Sequence, residues 1–325
     1  MKIPPSYTIT PEILELLVKI DVNRILISSQ KIPDSQKERM KHLATLKSSL
    51  YSARIEGSQL TMAQAENSSS GENKQDLFNL LDAVNLIEKT VKVDSVVKIN
   101  TILKIHQKVM ENLGATGSLR HEPGAIFNSA GVAIYLCPPA SEIKELLRQT
   151  LRYVNSETEK FPLITTMIAH LIFEKIHPFL DGNGRVGRLL VYAVLKSRNY
   201  DFGIHIPFEE YLDNHKNDYY YFLDTGLKDT NEYLVFMLKA FLDETEVIKN
   251  EMDQQVKSEI DLLLSPRQEE LYNLIKDHPL IPFDSIQRRF MAVPGRTLRY
   301  DLKKLADKNL IIKTAKTRGA YYKIK

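Results

Sequence analysis

Apolar positions along the chain recur mostly at helical spacing. Over residues 163–176 a long apolar run places Met167, His170, Leu171 and Glu174 three and four apart, which predicts a buried helix that Pro178 stops. Residues 43–55 repeat the helical period and end at Gly57, the residue type that takes the left-handed angles of a helix exit. Another helix is predicted to begin near residue 184. The period shortens to two around Ile126 and at Val132 and Ile134, predicting short strands with residues 128–131 as their turn. Near the C-terminus, helical patterns over 267–277, 283–290 and 297–308 precede two strand-like runs, 310–313 and 320–324, with Arg318-Gly319 at the turn. Residues 243–264, charged and helical in pattern, read as a connector, and the polar patch 68–73 as a loop. The expectation is a mainly α protein with one small β-hairpin, followed by a compact α+β unit.

Charge divides the chain in the same place. Residues 266–325 hold 14 Lys and Arg against 6 Asp and Glu, a net of +8, while the whole chain is +3, so residues 1–265 carry −5. Three helices and a basic hairpin read as a winged helix, with 296–305 as its recognition helix. Arg296, Arg299 and Lys303 fall at i, i+3 and i+7 and are the candidate contacts to duplex DNA; protein contacts or dimerisation are the alternative use of such a unit. At 325 residues and 43% apolar content, two domains and a helical leader fit the ordinary domain size. The predicted boundaries are 1–92 for an N-terminal helical region, 93–242 for a core, 243–264 for the connector and 265–325 for the winged helix. Cys137 is the one cysteine, which excludes a disulfide within the chain and suits a cytoplasmic protein. With only Lys2 ahead of a polar leader and no long apolar run, neither export nor a membrane partner is expected.

Chemistry concentrates in residues 177–188, His-Pro-Phe-Leu-Asp-Gly-Asn-Gly-Arg-Val-Gly-Arg. His177 supplies a base that titrates near neutral pH, and Asp181 a hard oxygen ligand of the kind Mg²⁺ takes when it is shared with substrate phosphates. Gly182, Asn183 and Gly184 tolerate left-handed angles, so their N–H groups can form an anion-binding nest. Arg185 and Arg188, three apart at the start of a helix, project two guanidinium forks toward one polyphosphate. Gly182, Gly184 and Gly187 also spell a dinucleotide-binding pattern, but a helix precedes it where that motif needs a strand. Glu174 and His177 make half of a di-iron helix motif whose second half is missing from the sequence.

This segment resembles the Fic family signature H-x-F-x-[D/E]-G-N-G-R-x-x-R at all eight fixed positions. The resemblance implies a helical core with a small β-hairpin flap, and protein adenylyltransfer: AMP passes from ATP to a Ser, Thr or Tyr hydroxyl of a target protein, releasing pyrophosphate. In that scheme His177 is the base for the attacking hydroxyl, Asp181 holds Mg²⁺, and Gly182, Asn183 and Gly184 cradle the phosphates. Arg185 neutralises the leaving pyrophosphate, Arg188 grips the γ-phosphate, and Phe179 packs beneath the loop. Upstream, Ser52-Ala53-Arg54-Ile55-Glu56-Gly57 resembles the family's inhibitory pattern [S/T]-x-x-x-E-[G/N], which implies that Glu56 pairs with Arg188 and holds the enzyme off. Residues 117–139 resemble the flap, and Asp218-Tyr219-Tyr220 an element common after the motif, with Tyr219 as the candidate contact to adenosine. The alternatives are an enzyme that removes AMP and a DNA-bound regulator whose Fic part senses nucleotide, and a homodimer is compatible with all of them.

Overall fold

The computed structural model describes residues 1–66, 74–114, 117–127, 133–314 and 320–325. The predicted loop at 68–73, the turns at 128–131 and Arg318-Gly319, and Val132 lie outside the described residues. The chain forms two compact units, Met1–Asn250 and Glu251–Lys325.

In the first unit the order is α1 (Pro11–Ser29), α2 (Asp34–Ile55), α3 (Met62–Glu66), α4 (Gln75–Thr90), α5 (Ile99–Val109), β1 (Ala125–Phe127), β2 (Ala133–Leu136) and α6 (Ala140–Val154). Then come α7 (Pro162–Ile176), α8 (Asn183–Ser197), α9 (Glu209–Asn214), α10 (Lys216–Thr225) and α11 (Thr230–Leu263), which continues across the division between units. The axis of the unit is α7, in which every residue from Leu163 to Ile176 is buried. A helix that is apolar all round has no solvent face to offer, so neighbours must cover it on every side. His170 of α7 is satisfied internally: its Nδ1–H donates to the Tyr233 hydroxyl at 2.8 Å, which in turn donates to the Met167 carbonyl. The helix ends where predicted. His177 takes a left-handed φ of 49° and its N–H returns to the Phe173 carbonyl.

The predicted helix at 43–55 is the second half of a longer α2. Its exit is a Schellman motif: Ser58 N–H bonds the Ala53 carbonyl and Gly57 N–H the Arg54 carbonyl, with Gly57 at a φ of 109° that a side chain would strain. That motif fixes where Glu56, the C-cap residue, leaves the helix. Ion pairs from Arg54 to Asp213 (3.0 Å) and Lys47 to Glu210 (3.4 Å) tie α2 to α9. The hairpin forms in antiparallel register, Ala125 with Leu136 and Ile126 with Tyr135, and a bulge follows Ile126.

The second unit holds α12 (Pro266–Lys276), β3 (Ile281–Pro282), α13 (Phe283–Arg289), α14 (Gly295–Asp307), β4 (Ile311–Thr314) and β5 (Tyr321–Ile324). Leu298, Leu302 and Leu305 of α14 are fully buried against Leu271, Ile275 and Ile286, while Arg296, Arg299 and Lys303 are exposed. β3, too short to leave a pattern in the sequence, joins the hairpin to give the order β3-β5-β4. No helix among the described residues is long and apolar enough to cross a membrane.

Candidate active site

The loop between α7 and α8 carries the titratable groups, and its shape follows from what lies beneath it. Phe179 is fully buried and stacks on the His106 ring at 3.7 Å, nearly parallel. His106 takes the Gly117 N–H on Nδ1, so its Nε2–H donates to the Asp181 carbonyl at 3.1 Å. The Asn183 side chain closes the loop from within, accepting from Phe179 N–H and donating to the Phe179 carbonyl, both at 2.9 Å. His177 is thereby held at the rim of the loop with its imidazole largely buried. Burial pushes its pKa below the ordinary value, while the Glu174 carbonyl acts in the opposite sense. The ring is neutral at pH 7, the form that accepts a proton.

Arg188 is 1% exposed and is gripped by α2. Its Nε donates to Ser52 Oγ at 3.0 Å, and its Nη2 to the Ser52 carbonyl at 2.8 Å and to Glu56 Oε1 at 2.9 Å. Burial works against its charge and the Glu56 carboxylate more than restores it, so its pKa stands above the ordinary arginine value. The same Oε1 lies over the start of α8: a Cβ built on Gly184 would come within 2.3 Å of it. Glu56 therefore sits where two anion-attracting features converge, a guanidinium and the free N–H groups of a helix N-terminus. Beside this pair opens a cavity of about 620 Å³ lined by Glu56, His177, Gly184, Arg188, Tyr219 and Tyr220, with Ile126 and Tyr135 of the hairpin among its walls.

Residues 96–195 match the family model for the Fic/DOC family. Over that stretch the chain resembles a Fic domain. Related proteins include a probable protein adenylyltransferase of Aquifex aeolicus, 41% identical over 58 residues, which are 18% of this chain and 18% of that protein. The protein adenylyltransferase Fic of Drosophila yakuba is 34% identical over 98 residues, 30% of this chain and 19% of that protein. The chain thus aligns with under a fifth of the length of these relatives. Among solved structures, a Fic family protein from Desulfovibrio desulfuricans G20 superposes with a TM-score of 0.65 at 23% identity, covering 99% of this chain and 98% of that one. A Fic domain containing signaling protein from Bacteroides thetaiotaomicron VPI-5482 gives 0.59 at 17% identity over 75% of this chain and 97% of that one.

Within the Fic motif the structure redistributes several expected parts. The nest predicted from Gly182, Asn183 and Gly184 is not a run of left-handed residues: only Gly182 has a positive φ, 79°, and α8 begins at Asn183. The free N–H groups here are those of the helix start. Arg185 does not point with Arg188, because Asp76 of α4 draws its Nη1 to 2.6 Å and Asp181 lies 3.4 Å from its Nη2. Arg185, Asp76 and Asp181 form a second charged group. Tyr219, expected to touch adenosine, is 1% exposed and donates its hydroxyl to His170 Nε2 at 3.2 Å, so it reaches the cavity wall with little of its ring. Of the two adjacent tyrosines that line the cavity, Tyr220, 42% exposed, is the one with open surface.

Three supporting residues were given no role in the sequence reading: Asp76, His106 and Arg120. Arg120 is 3% exposed, and among the described residues no carboxylate pairs with it. Its guanidinium instead takes four carbonyls, His177 (2.8 Å), Glu122 (2.7 Å), Pro138 (2.7 Å) and Ile176 (3.3 Å). A cation at the C-terminal end of α7 meets the negative end of the helix dipole, and here it also clamps both ends of the hairpin to the loop between α7 and α8. Isolated in sequence, such a residue resembles any surface arginine. Arg120→Ala should leave those carbonyls buried and unpaired, costing about 3 kcal/mol and lowering the melting temperature by roughly 5–10 °C; an unchanged melting curve would show the clamp to be dispensable.

Proposed function

We propose that this chain is a protein adenylyltransferase that moves AMP from ATP to a side-chain hydroxyl of a target protein, held off by Glu56. The observation that carries the reading is a partly buried imidazole, its pKa lowered by burial, at the mouth of a nucleotide-sized cavity whose floor is a buried arginine and a helix N-terminus. ATP would place its terminal phosphates at Arg188 and Gly184, where the Glu56 carboxylate now lies. The target hydroxyl gives its proton to His177 as its oxygen bonds the α-phosphorus, and the bond from that phosphorus to the bridging oxygen breaks to release pyrophosphate. A target backbone laid along the hairpin as an added strand would bring its hydroxyl to this point. Asp181 fits Mg²⁺: its carboxylate is 71% exposed, and a cation shared with substrate phosphates needs only one or two protein carboxylates. When bound, the cation offsets phosphate charge. The experiment is incubation of the Glu56→Gly form with labelled ATP and cell lysate; transfer of label to protein supports the reading, and failure of the variant to label any protein or itself refutes it.

The second unit favours a further role in binding duplex DNA as a winged helix, since α14 buries its leucines and leaves Arg296, Arg299 and Lys303 outward on a segment of net charge +8. Arg299 also lies over the Phe283 ring at 4.1 Å, which orders its long side chain before any contact. Affinity of the full chain for duplex DNA should fall steeply with salt, with a slope of about −0.9 per phosphate neutralised. Replacing Arg299 and Lys303 by Ala should flatten that slope by about two units. Absence of DNA affinity at low salt would assign the unit to protein docking.

A further inference from the structure

Glu174 belongs to no part of the reading so far, although it lines the same cavity as His177 and Arg188. It stands one turn before the end of α7, 7% exposed, and its Oε1 is buried without a hydrogen-bond partner; His170 Nε2, at 3.9 Å, is beyond bonding distance and already takes the Tyr219 hydroxyl. α8 makes room for this carboxyl. A Cβ on Gly187 would lie 2.0 Å from Oε1, so the glycine between Arg185 and Arg188 is what admits an acid here. An unpaired carboxylate in such a place would carry the full cost of burying a charge, and a neutral acid carries far less.

The charged and titratable neighbours decide which form is present. From α8 the Arg188 guanidinium favours the ionised form, as does Lys175 on α7, while Glu56 at the end of α2 opposes it. Tyr219 and Tyr220 of α10 and Tyr233 of α11 face it as neutral phenols, each with its pKa above the ordinary value, and His170 is neutral because burial drives it down to about 3. Burial dominates, and the Glu174 carboxyl is pushed up to about 8. At neutral pH it is an O–H donor in the wall of an anion site. Carboxylic acids kept neutral by apolar surroundings can donate hydrogen bonds to developing or bound anions, a role that a carboxylate cannot fill.

We propose that Glu174 is a further residue of the phosphate site, a protonated carboxyl that donates a hydrogen bond to an oxygen of the phosphate held at Arg188. This rests on the nucleotide reading of the cavity. Ionised, the same group repels the phosphate and competes for Arg188, so it limits nucleotide binding to pH values below its own titration. The site therefore selects a terminal phosphate by two contacts, one cationic and one neutral, and Glu174 is a positioning residue for the anion.

The test is the dissociation constant of ATP with Mg²⁺, measured calorimetrically on the full-length Glu56→Gly form from pH 7 to 9.5, with and without Glu174→Gln. Gln keeps the shape and a donor but cannot ionise. The parent form is expected to weaken by roughly tenfold as the Glu174 carboxyl gives up its proton, at a lower pH than with Glu56 present, since Glu56 opposes that ionisation. Glu174→Gln should bind within about threefold of the parent at pH 7 and stay flat through the part of the profile that Glu174 governs. Glu209 and Glu244, also pushed up to about 8, titrate in the same window, so the difference between the two profiles is the readout. Identical profiles overturn the proposal. So does a Glu174→Gln form that melts normally yet loses ATP at pH 7, because the ionised carboxylate would then be the required form. ATP binding that is absent at every pH in both forms removes the nucleotide reading and this proposal with it, whereas binding with no difference between them removes this proposal alone.

Discussion

His177→Ala is expected to abolish transfer while leaving nucleotide binding nearly unchanged. The imidazole touches no part of the Arg188 anchor, so the anion site survives its removal, whereas the attacking hydroxyl loses the group that takes its proton. Loss of a general base costs about 10²- to 10⁴-fold in rate. The pH dependence has a definite sign. Because burial lowers the His177 pKa, protonating it is harder than for a free imidazole, and the acid limb of the rate profile should fall below the ordinary histidine pKa of about 6.5. A rate that falls through pH 7 on acidification would mean that another group governs the limb. Labelling assays on the Glu56→Gly background, with ATP affinity measured in parallel, separate loss of chemistry from loss of binding; equal labelling with and without His177 would refute its assignment as the base.

The helices that carry this site were readable because their chemistry is local. Residues 163–176 are apolar on every face and so had to be a central helix, and Gly57 after residues 43–55 marked an exit that the structure builds as a Schellman motif. The pairing of Glu56 with Arg188 was also expected, although 132 residues separate the two, because residues 52–57 resemble the Fic inhibitory pattern and so implied it. The partners of Arg185 were another matter. Asp76 lies 109 residues away and carries no motif, so nothing in the sequence says that α4 will draw Arg185 aside. Arg120 and His106 were silent for a similar reason: their hydrogen bonds go to backbone groups, which every residue has, and such bonds leave no side-chain pattern to recognise. Tyr219 shows the opposite failure. An aromatic beside a nucleotide motif suggests stacking, but the need to satisfy His170 inside the core turned its hydroxyl inward, and the exposed face passed to Tyr220.

The second large effect is expected from Glu56→Gly. In the closed arrangement Arg188 Nη2 is shared between the Ser52 carbonyl and Glu56 Oε1, and the same carboxylate covers the start of α8. A γ-phosphate seeks those two features and cannot have them while Glu56 stays, since bringing two anions together at one fork costs far more than the fork returns. If the competent arrangement is held near one part in a hundred, releasing it raises transfer by up to roughly 100-fold. Ser52 would still hold Nε, so the arginine keeps its aim without its inhibitor. Stability should move the other way. Removing the carboxylate leaves Arg188, 1% exposed, without its counter-ion, so the variant should melt at a lower temperature than the parent, and saturating ATP should recover part of that loss by binding the folded form alone. A variant that melts lower but labels no faster would mean that Glu56 is a counter-ion for a buried arginine and nothing more. One that labels faster and regains its melting temperature with ATP fits a carboxylate that occupies the phosphate's place.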